Sequence, residues 1–146
     1  SGTLNVPGIA GFAAAPRRML ELRSGEGPRL TLAAKSLFAR LKSAFPRLRL
    51  LGHPDRRLPG QLSLNHPGLD AQQLLCDCPD LAFSMSSACH SDIPLPSRVM
   101  LAIGLTPEQA ASTFRLHIGR FNESDELERA CRSLIAAMQR QFPRSP

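Results

Sequence analysis

One cysteine of this chain lies in a segment suited to nucleophilic chemistry. Cys89 belongs to Ser84–Ser91, a run of small and hydroxyl-bearing residues, and His90 follows it directly. A cysteine of a protein core lies within an apolar period, and Cys89 does not. Its segment joins the apolar run Leu81–Phe83 to the helical pattern after Pro96. A thiol on such a loop can be carried to and from a partner, so the sequence indicates a nucleophile and leaves open an incidental surface thiol.

A second candidate for chemistry is Arg115, which lies in the middle of an alternating segment. Phe114, Leu116 and Ile118 fall on one face of the predicted strand, and Arg115 and His117 fall on the other. An unpaired guanidinium is costly to bury, and its planar fork fits a carboxylate. That carboxylate belongs either to a ligand or to an acidic residue of the fold. His117 lines the same pocket or is a core or rim histidine.

The remaining cysteines raise the question of a metal site. Cys76 and Cys78 form a Cys-x-Cys pair that, with Cys89 and His90, gives a weak zinc signal because the spacing is unusual. The alternative is two thiols at the end of a helix, and no metal ligand is assigned. Cys131 falls on the apolar face of a helical pattern, which predicts a small core residue.

The elements that position these residues alternate between helices and short strands. The pattern predicts a helix from Asn5 that is kinked or divided at Pro16, a break over Ser24–Pro28, and a second helix over Leu30–Phe45. The predicted strands are Leu48–Gly52, Gln61–Asn65, Leu81–Phe83 and Phe114–Gly119.

Polar residues mark where the later helices begin. Asp70 is expected to cap a short helix, Thr106 a second and Asn122 the last one, while Gly104 ends a helix that begins near Ser97. This order predicts an α/β (α+β-like) fold in which helices cover a small, mainly antiparallel or mixed sheet.

The composition limits the classes of function. The chain has 146 residues, of which 42% are hydrophobic and 21% charged, as expected for one folded domain. Its net charge of +6 is carried mainly by arginine, but without Trp or Tyr to stack on bases we expect no nucleic-acid role. No apolar run is long enough to cross a membrane, and the start does not resemble a signal peptide. The cysteine content fits a reducing, cytoplasmic setting.

Four blocks together resemble the cysteine desulfurases that depend on pyridoxal phosphate (PLP), within the class V aminotransferases. Ser1–Ile9 looks like the family's R-S-G-T-x-N-V block without its first Arg, and Arg57–Leu64 resembles R-L-P-N-T-L-S. Ser84–Ser91 is similar to the loop S-S-G-S-A-C-T-S, and Ser112–Phe121 to S-S-I-R-F-S-L-G-R-F. The chain therefore looks like the small C-terminal domain of a fold-type I PLP enzyme, with the large domain missing.

The resemblance implies a role for three residues. Cys89 matches the nucleophile that removes sulfur from L-cysteine, leaving L-alanine and an enzyme persulfide. Arg115 matches the arginine that binds the substrate carboxylate. Thr3 matches a threonine that reaches the PLP phosphate of the neighbouring subunit in a homodimer. The loop looks like that of the mobile-loop group, which passes sulfur to an acceptor such as an iron–sulfur scaffold protein.

The sequence also departs from the family pattern. Met85 and Ser86 stand where the loop usually has Ser and Gly, His90 replaces Thr, His117 replaces Ser, and Gly60 replaces Asn. The loss of a glycine at position 86 is expected to stiffen the loop.

The resemblance implies that a catalytic group lies elsewhere. The family's Schiff-base lysine is upstream of the matching segment, and Lys35 and Lys42 lie in an amphipathic helix that matches no Schiff-base motif. We therefore expect residues 1–25 to be the end of a large domain with its linking helix, residues 26–146 to be the small domain, and activity to require the N-terminal half. The alternative function is a non-enzymatic sulfur carrier or binding module.

Overall fold

A computed structural model describes residues 2–85 and 97–142 of the chain. Long helices stand at both ends of the sequence, and short strands and helices lie between them. In chain order the elements are α1 (Val6–Ala44), β1 (Arg49–Leu50), β2 (Gln61–Asn65), α2 (Ala71–Cys76), β3 (Ser84–Met85), α3 (Arg98–Ala102), α4 (Pro107–Ala111), β4 (Thr113–His117) and α5 (Ser124–Gln141).

The strands form one antiparallel sheet. Within the described ranges it has four strands in the order β1-β2-β4-β3, and every neighbouring pair is antiparallel. The strand predicted over Gln61–Asn65 has the bounds expected from its sequence, whereas β1 is shorter than predicted. The predicted class, a small antiparallel sheet covered by helices, is confirmed.

One face of the sheet is the apolar face. Leu64 of β2 lies opposite Phe114 of β4, and both side chains are fully buried. They belong to one core cluster with Leu41 of α1 and with Leu134 and Met138 of α5. Because side chains alternate along a strand, the residues between these apolar positions project from the opposite face of the sheet.

Helix α1 is continuous, so the predicted break over Ser24–Pro28 is wrong. The helix begins at Asn5, whose Oδ1 accepts a hydrogen bond of 3.0 Å from the amide of Gly8, as the cap prediction requires. Pro16 and Pro28 both lie inside the helix and are exposed. Each proline removes one helical hydrogen bond, but an exposed carbonyl left without its donor can bind water.

The two halves of α1 have different environments. At a rise of 1.5 Å per residue, its 39 residues span about 58 Å. Leu37 and Leu41 are buried in the core, whereas residues 2–21 are exposed, including Phe12 at 80%. The domain boundary predicted at residue 25 falls inside this helix. Of the helices in the described part of the chain, none has the length and apolar character needed to span a membrane.

Side chains fix the start of the shorter helices. Asp70 accepts hydrogen bonds from two amides of α2, and Thr106 forms a capping box at α4, as predicted. The predicted cap of α5 is wrong, because Glu123 rather than Asn122 is the N-cap residue. Asn122 instead closes the preceding turn, where its Oδ1 accepts a hydrogen bond of 2.8 Å from the amide of Gly119.

Candidate active site

The polar face of the sheet carries a row of three side chains centred on Arg115. Arg115 pairs with Ser63 of β2 on one side and with Ser84 of β3 on the other. Gln61 and His117 are likewise opposed in the same face. Directly opposed residues of antiparallel strands project from the same side of the sheet. The prediction that Arg115 and His117 share a face is therefore confirmed.

A cleft of about 480 Å³ lies on this face. Its lining combines apolar side chains with a few groups that can form hydrogen bonds, which is typical of a site for a small polar ligand. The described residues that line it are Leu58, Gln61, Ala82, Phe83, Ser84, Arg115, Leu116 and His117.

Arg115 has no protein anion as a partner within the described ranges. It is half-buried, and its Nε atom is buried without a hydrogen-bond partner there. The ion pairs between described residues all involve other arginines or a lysine. The alternative of an internal salt bridge therefore has no support in the described part of the chain. A guanidinium in a cleft is suited to a ligand carboxylate, since two parallel hydrogen bonds can hold both oxygens.

Cys89 and His90 lie outside the described residues, so their arrangement with Arg115 stays a prediction. The strand that leads to them is described. Ser84 and Met85 form β3, which pairs with β4 at Arg115 and Phe114. The segment that carries the candidate thiol therefore starts from the strand beside Arg115.

The strand predicted over Leu81–Phe83 is wrong, because β3 comprises Ser84 and Met85. Residues 81–83 have no regular structure, and Phe83 packs edge-on against Phe114 with ring centroids 6.1 Å apart. The apolar side chains of this run pack against the core without strand pairing, and that packing accounts for the apolar pattern.

Arg57 organises the loop between β1 and β2, a role that sequence reasoning missed. Its Nε donates to the carbonyl of His53 at 2.9 Å and its Nη2 to that of Leu51 at 2.8 Å. Its Nη1 donates to the carbonyl of Gln61 at 3.2 Å. This guanidinium thus ties the loop to the strand that supplies Gln61 to the cleft. In the sequence, the position of Arg57 at the start of the block Arg57–Leu64 is the feature that could have indicated this role.

Gly60 occupies a position that only glycine fits. Its φ is +79°, and a Cβ atom there would lie 2.3 Å from the carbonyl oxygen of Ile118. The carbonyl of Gly60 accepts a hydrogen bond of 2.9 Å from the amide of Ile118. This close approach of two backbones joins the end of the loop to the residue that follows β4, and it favours glycine at this position.

Thr3 lies apart from the cleft lining, in the segment before α1. It is exposed and stands two residues before the cap Asn5. No hydrogen bond of its hydroxyl group is formed within the described ranges. The role predicted for Thr3 toward a cofactor phosphate stays a prediction.

The two lysines are engaged elsewhere. Lys42 Nζ donates to the carbonyls of Pro46 and Leu48, at 2.8 and 2.7 Å, just past the end of α1. Lys35 lies 3.6 Å from Asp55 beside a separate cavity of about 230 Å³. Neither lysine is among the described residues that line the Arg115 cleft.

The three cysteines of the described ranges differ in exposure. Cys76 is exposed, whereas Cys78 and Cys131 are buried, and Cys131 belongs to the core as predicted. Burial raises the pKa of the Cys78 and Cys131 thiols, which lowers their reactivity. Among the described residues, no group of three or more side chains is arranged to hold a metal ion.

His66 is a buried polar group away from the cleft. Its ring packs between those of Phe45 and Phe142, with centroids 5.8 and 4.5 Å away. Its Nδ1 has no hydrogen-bond partner within the described ranges. Burial, aided by the charge of Arg47, lowers the pKa of this imidazole.

The chain is similar along nearly its whole length to proteins named cysteine desulfurase. It is 34% identical over 132 residues to cysteine desulfurase IscS of Anaeromyxobacter sp. (strain K), covering 90% of this chain and 33% of that protein. Over all 146 residues it is 30% identical to IscS of Rickettsia typhi and to cysteine desulfurase of Rattus norvegicus, covering 36% and 32% of them. The chain thus spans about a third of the length of these relatives. No protein-family model matches it.

Solved structures show the same fold. A NifS-like protein superposes with a TM-score of 0.80 over 95% of this chain and 35% of its own, at 20% sequence identity. A NifS-like protein from Rickettsia africae gives a TM-score of 0.76 over 97% of this chain and 36% of its own, at 24% identity. These superpositions establish the architecture, while residue roles depend on the site itself.

Proposed function

We propose that this chain supplies the sulfur-accepting cysteine of a cysteine desulfurase. It matches about one third of the length of each of the cysteine desulfurases to which it is similar. The proposed reaction removes sulfur from L-cysteine and gives L-alanine and a persulfide on Cys89. In this proposal residues 1–25 are the end of a large cofactor domain with its linking helix, and residues 26–146 are the small C-terminal domain. The exposed N-terminal half of α1 supports this division.

The observation that carries the proposal is the guanidinium of Arg115 in the cleft. It has no acidic partner within the described ranges, and it lies on the strand next to β3. Cys89 follows Ser84 by five residues. An extended chain spans about 3.5 Å per residue, so the Cα atoms of Ser84 and Cys89 can be separated by at most about 18 Å. A carboxylate held by Arg115 is thus within reach of the cysteine's segment.

The chain's own residues have defined roles in the proposed reaction. Arg115 holds the carboxylate of L-cysteine with two hydrogen bonds and thereby orients the substrate in the cleft. The thiolate of Cys89 attacks the substrate sulfur, forming an S–S bond while the substrate's C–S bond breaks. The electron pair of that C–S bond passes to the substrate carbon, which takes up a proton to become the methyl group of alanine. Pyridoxal phosphate, when bound, supplies the electron sink that makes this cleavage possible.

The residues present fit part of a cofactor site. The hydroxyl of Thr3 is exposed and without a competing partner in the described ranges, so it would donate to the cofactor phosphate of the neighbouring subunit in a homodimer. Lys42 is committed to two carbonyls, and Lys35 lies outside the cleft. The Schiff-base lysine is therefore proposed to come from a part of the enzyme beyond these residues.

The proposed product needs an acceptor. A persulfide transfers its outer sulfur to another thiol, so we propose that Cys89 passes sulfur to an acceptor such as an iron–sulfur scaffold protein. A reducing compartment such as the cytoplasm keeps Cys89 available as a thiol between cycles.

The test is reconstitution with the remaining part of a relative. The purified chain is mixed with pyridoxal phosphate, L-cysteine and the complementary N-terminal part of the Anaeromyxobacter enzyme, and alanine and the persulfide are measured. We expect both products only when the two parts are combined. The matched variants are Cys89→Ser, which should abolish the persulfide, and Cys76→Ser, which removes an exposed thiol and should leave turnover intact. Turnover that survives Cys89→Ser contradicts the proposal, and a persulfide formed on Cys89 without any cofactor favours a sulfur carrier instead.

A further inference from the structure

Two buried polar atoms without partners lie on opposed residues of the sheet. Ser63 Oγ and Arg115 Nε are both buried and have no hydrogen-bond partner within the described ranges. Ser63 and Arg115 are register partners across β2 and β4, so their Cβ atoms lie about 5 Å apart. Unsatisfied buried polar groups are rare, and two on one cross-strand pair point to a shared function.

The two atoms are chemically complementary. Arg115 Nε carries one N–H donor and cannot accept, whereas a serine hydroxyl both donates and accepts. A serine oxygen moves by rotation about a single side-chain bond, so a hydrogen bond from Nε to Oγ needs no movement of the sheet. Ser84, the other register partner of Arg115, lines the cleft, whereas Ser63 is not among the described lining residues and its Oγ is buried.

We propose that Ser63 is a positioning residue for Arg115 when a carboxylate is bound. Its Oγ accepts the Nε–H of Arg115 and thereby turns both terminal N–H₂ groups into the cleft. The carboxylate is then held end-on by one hydrogen bond from each terminal nitrogen, rather than side-on through Nε. The inference deepens the proposed function, since it rests on Arg115 binding the carboxylate of the substrate.

The competing explanation is that Ser63 is merely small. A small residue opposite Arg115 leaves room for its long side chain, and an alanine would then serve equally well. The two explanations differ in what happens to the Nε–H when the hydroxyl alone is removed.

The experiment follows the Nε–H of Arg115 by NMR in the ¹⁵N-labelled chain, with sodium acetate as the carboxylate probe. The signal is assigned by its loss in Arg115→Lys. With acetate present, we expect exchange of this hydrogen with water to be about tenfold slower in the wild type than in Ser63→Ala, the factor for one net hydrogen bond of about 1.4 kcal/mol. The dissociation constant for acetate should rise by a similar factor in Ser63→Ala.

Further variants separate the hydroxyl from packing. Ser63→Thr keeps the hydroxyl and should retain slow exchange, while Ser63→Cys keeps the size with a weak acceptor and should behave like Ser63→Ala. Ser36→Ala makes the same change on the exposed face of α1 and should match the wild type. Equal exchange in the wild type and in both Ser63→Ala and Ser63→Cys overturns the inference.

The measurement involves neither Cys89 nor the cofactor. Loss of Nε–H protection in Ser63→Ala, together with no persulfide in the reconstituted mixture, would therefore refute the proposed reaction and leave the role of Ser63 intact.

Discussion

Replacing Arg115 by methionine tests whether this residue is kept for binding or for stability. Methionine has a similar unbranched aliphatic chain but lacks the guanidinium. Arg115 Nε is a buried donor without a partner in the described ranges, and such a group costs about 1–3 kcal/mol. Because Arg115 is only half-buried, we take the lower end of that range. Arg115→Met should therefore raise the free energy of unfolding by about 1 kcal/mol.

The assay is urea and thermal unfolding of the purified chain, followed by circular dichroism. For a chain of 146 residues, 1 kcal/mol corresponds to an increase in Tm of about 3 °C. Arg40→Met is the matched control, because Arg40 forms a two-point ion pair with Glu128 that joins α1 to α5. That variant should lower the unfolding midpoint.

The opposite result for Arg115→Met would refute the reasoning. If Arg115 served the fold through a buried ion pair, removing it would leave an uncompensated charge and cost about 3–5 kcal/mol. Arg115→Lys adds a second test, since lysine retains a positive charge without the buried N–H. It should be as stable as the wild type or more so, and it should lose the two-point grip on a carboxylate.

Three further predictions concern the fold. The free energy of unfolding should decrease as the pH falls below 6.5. The pKa of His66 is lowered in the folded chain, so the imidazole of the unfolded chain is protonated at a higher pH than that of the folded chain. Urea titrations should show a weaker decrease in His66→Phe. Gly60→Ala should lower the free energy of unfolding by at least about 2 kcal/mol, because alanine there combines a strained φ of +79° with a backbone clash. Gly104→Ala should lower it by about 1 kcal/mol, because Gly104 has a similar φ of +90° but open space around it. Pro28→Ala should increase helical circular dichroism and thermal stability, because it restores a hydrogen bond within α1.

Each of these outcomes can fail in a distinct way. Identical pH dependence in His66→Phe would remove the imidazole as the cause. Equal losses in the two glycine variants would mean that the contact with Ile118 is unimportant. Unchanged helix content in Pro28→Ala would contradict a continuous α1 and support a break over Ser24–Pro28.

The sequence predicts the local elements well where one residue type determines the backbone. The caps Asn5, Asp70 and Thr106 follow from side chains that accept amide hydrogen bonds, and the alternation around Arg115 places the cleft on one face of β4. Helix α1 could not be predicted in the same way. Gly and Pro near residue 25 disfavour a helix locally. The helix nevertheless continues there, because water can satisfy the exposed backbone groups that lose their helical partners.

The site is less visible in the sequence because its parts come together across strands. Ser63 and Arg115 are separated by more than fifty positions, and only the register of β2 and β4 makes them neighbours. Arg57 likewise counts as a surface charge until its three carbonyl partners are known. The role of Cys89 rests on the resemblance and on its place after β3, and it stays a prediction.

The most direct test of the central claim is to locate the transferred sulfur. The chain is combined with the complementary part of a related desulfurase, pyridoxal phosphate and ³⁵S-labelled L-cysteine, and the labelled peptide is identified. We predict that the label resides on the peptide containing Cys89, is retained in Cys76→Ser, and is lost in Cys89→Ser. Label on Cys76, or sulfur transfer that persists in Cys89→Ser, would contradict the account.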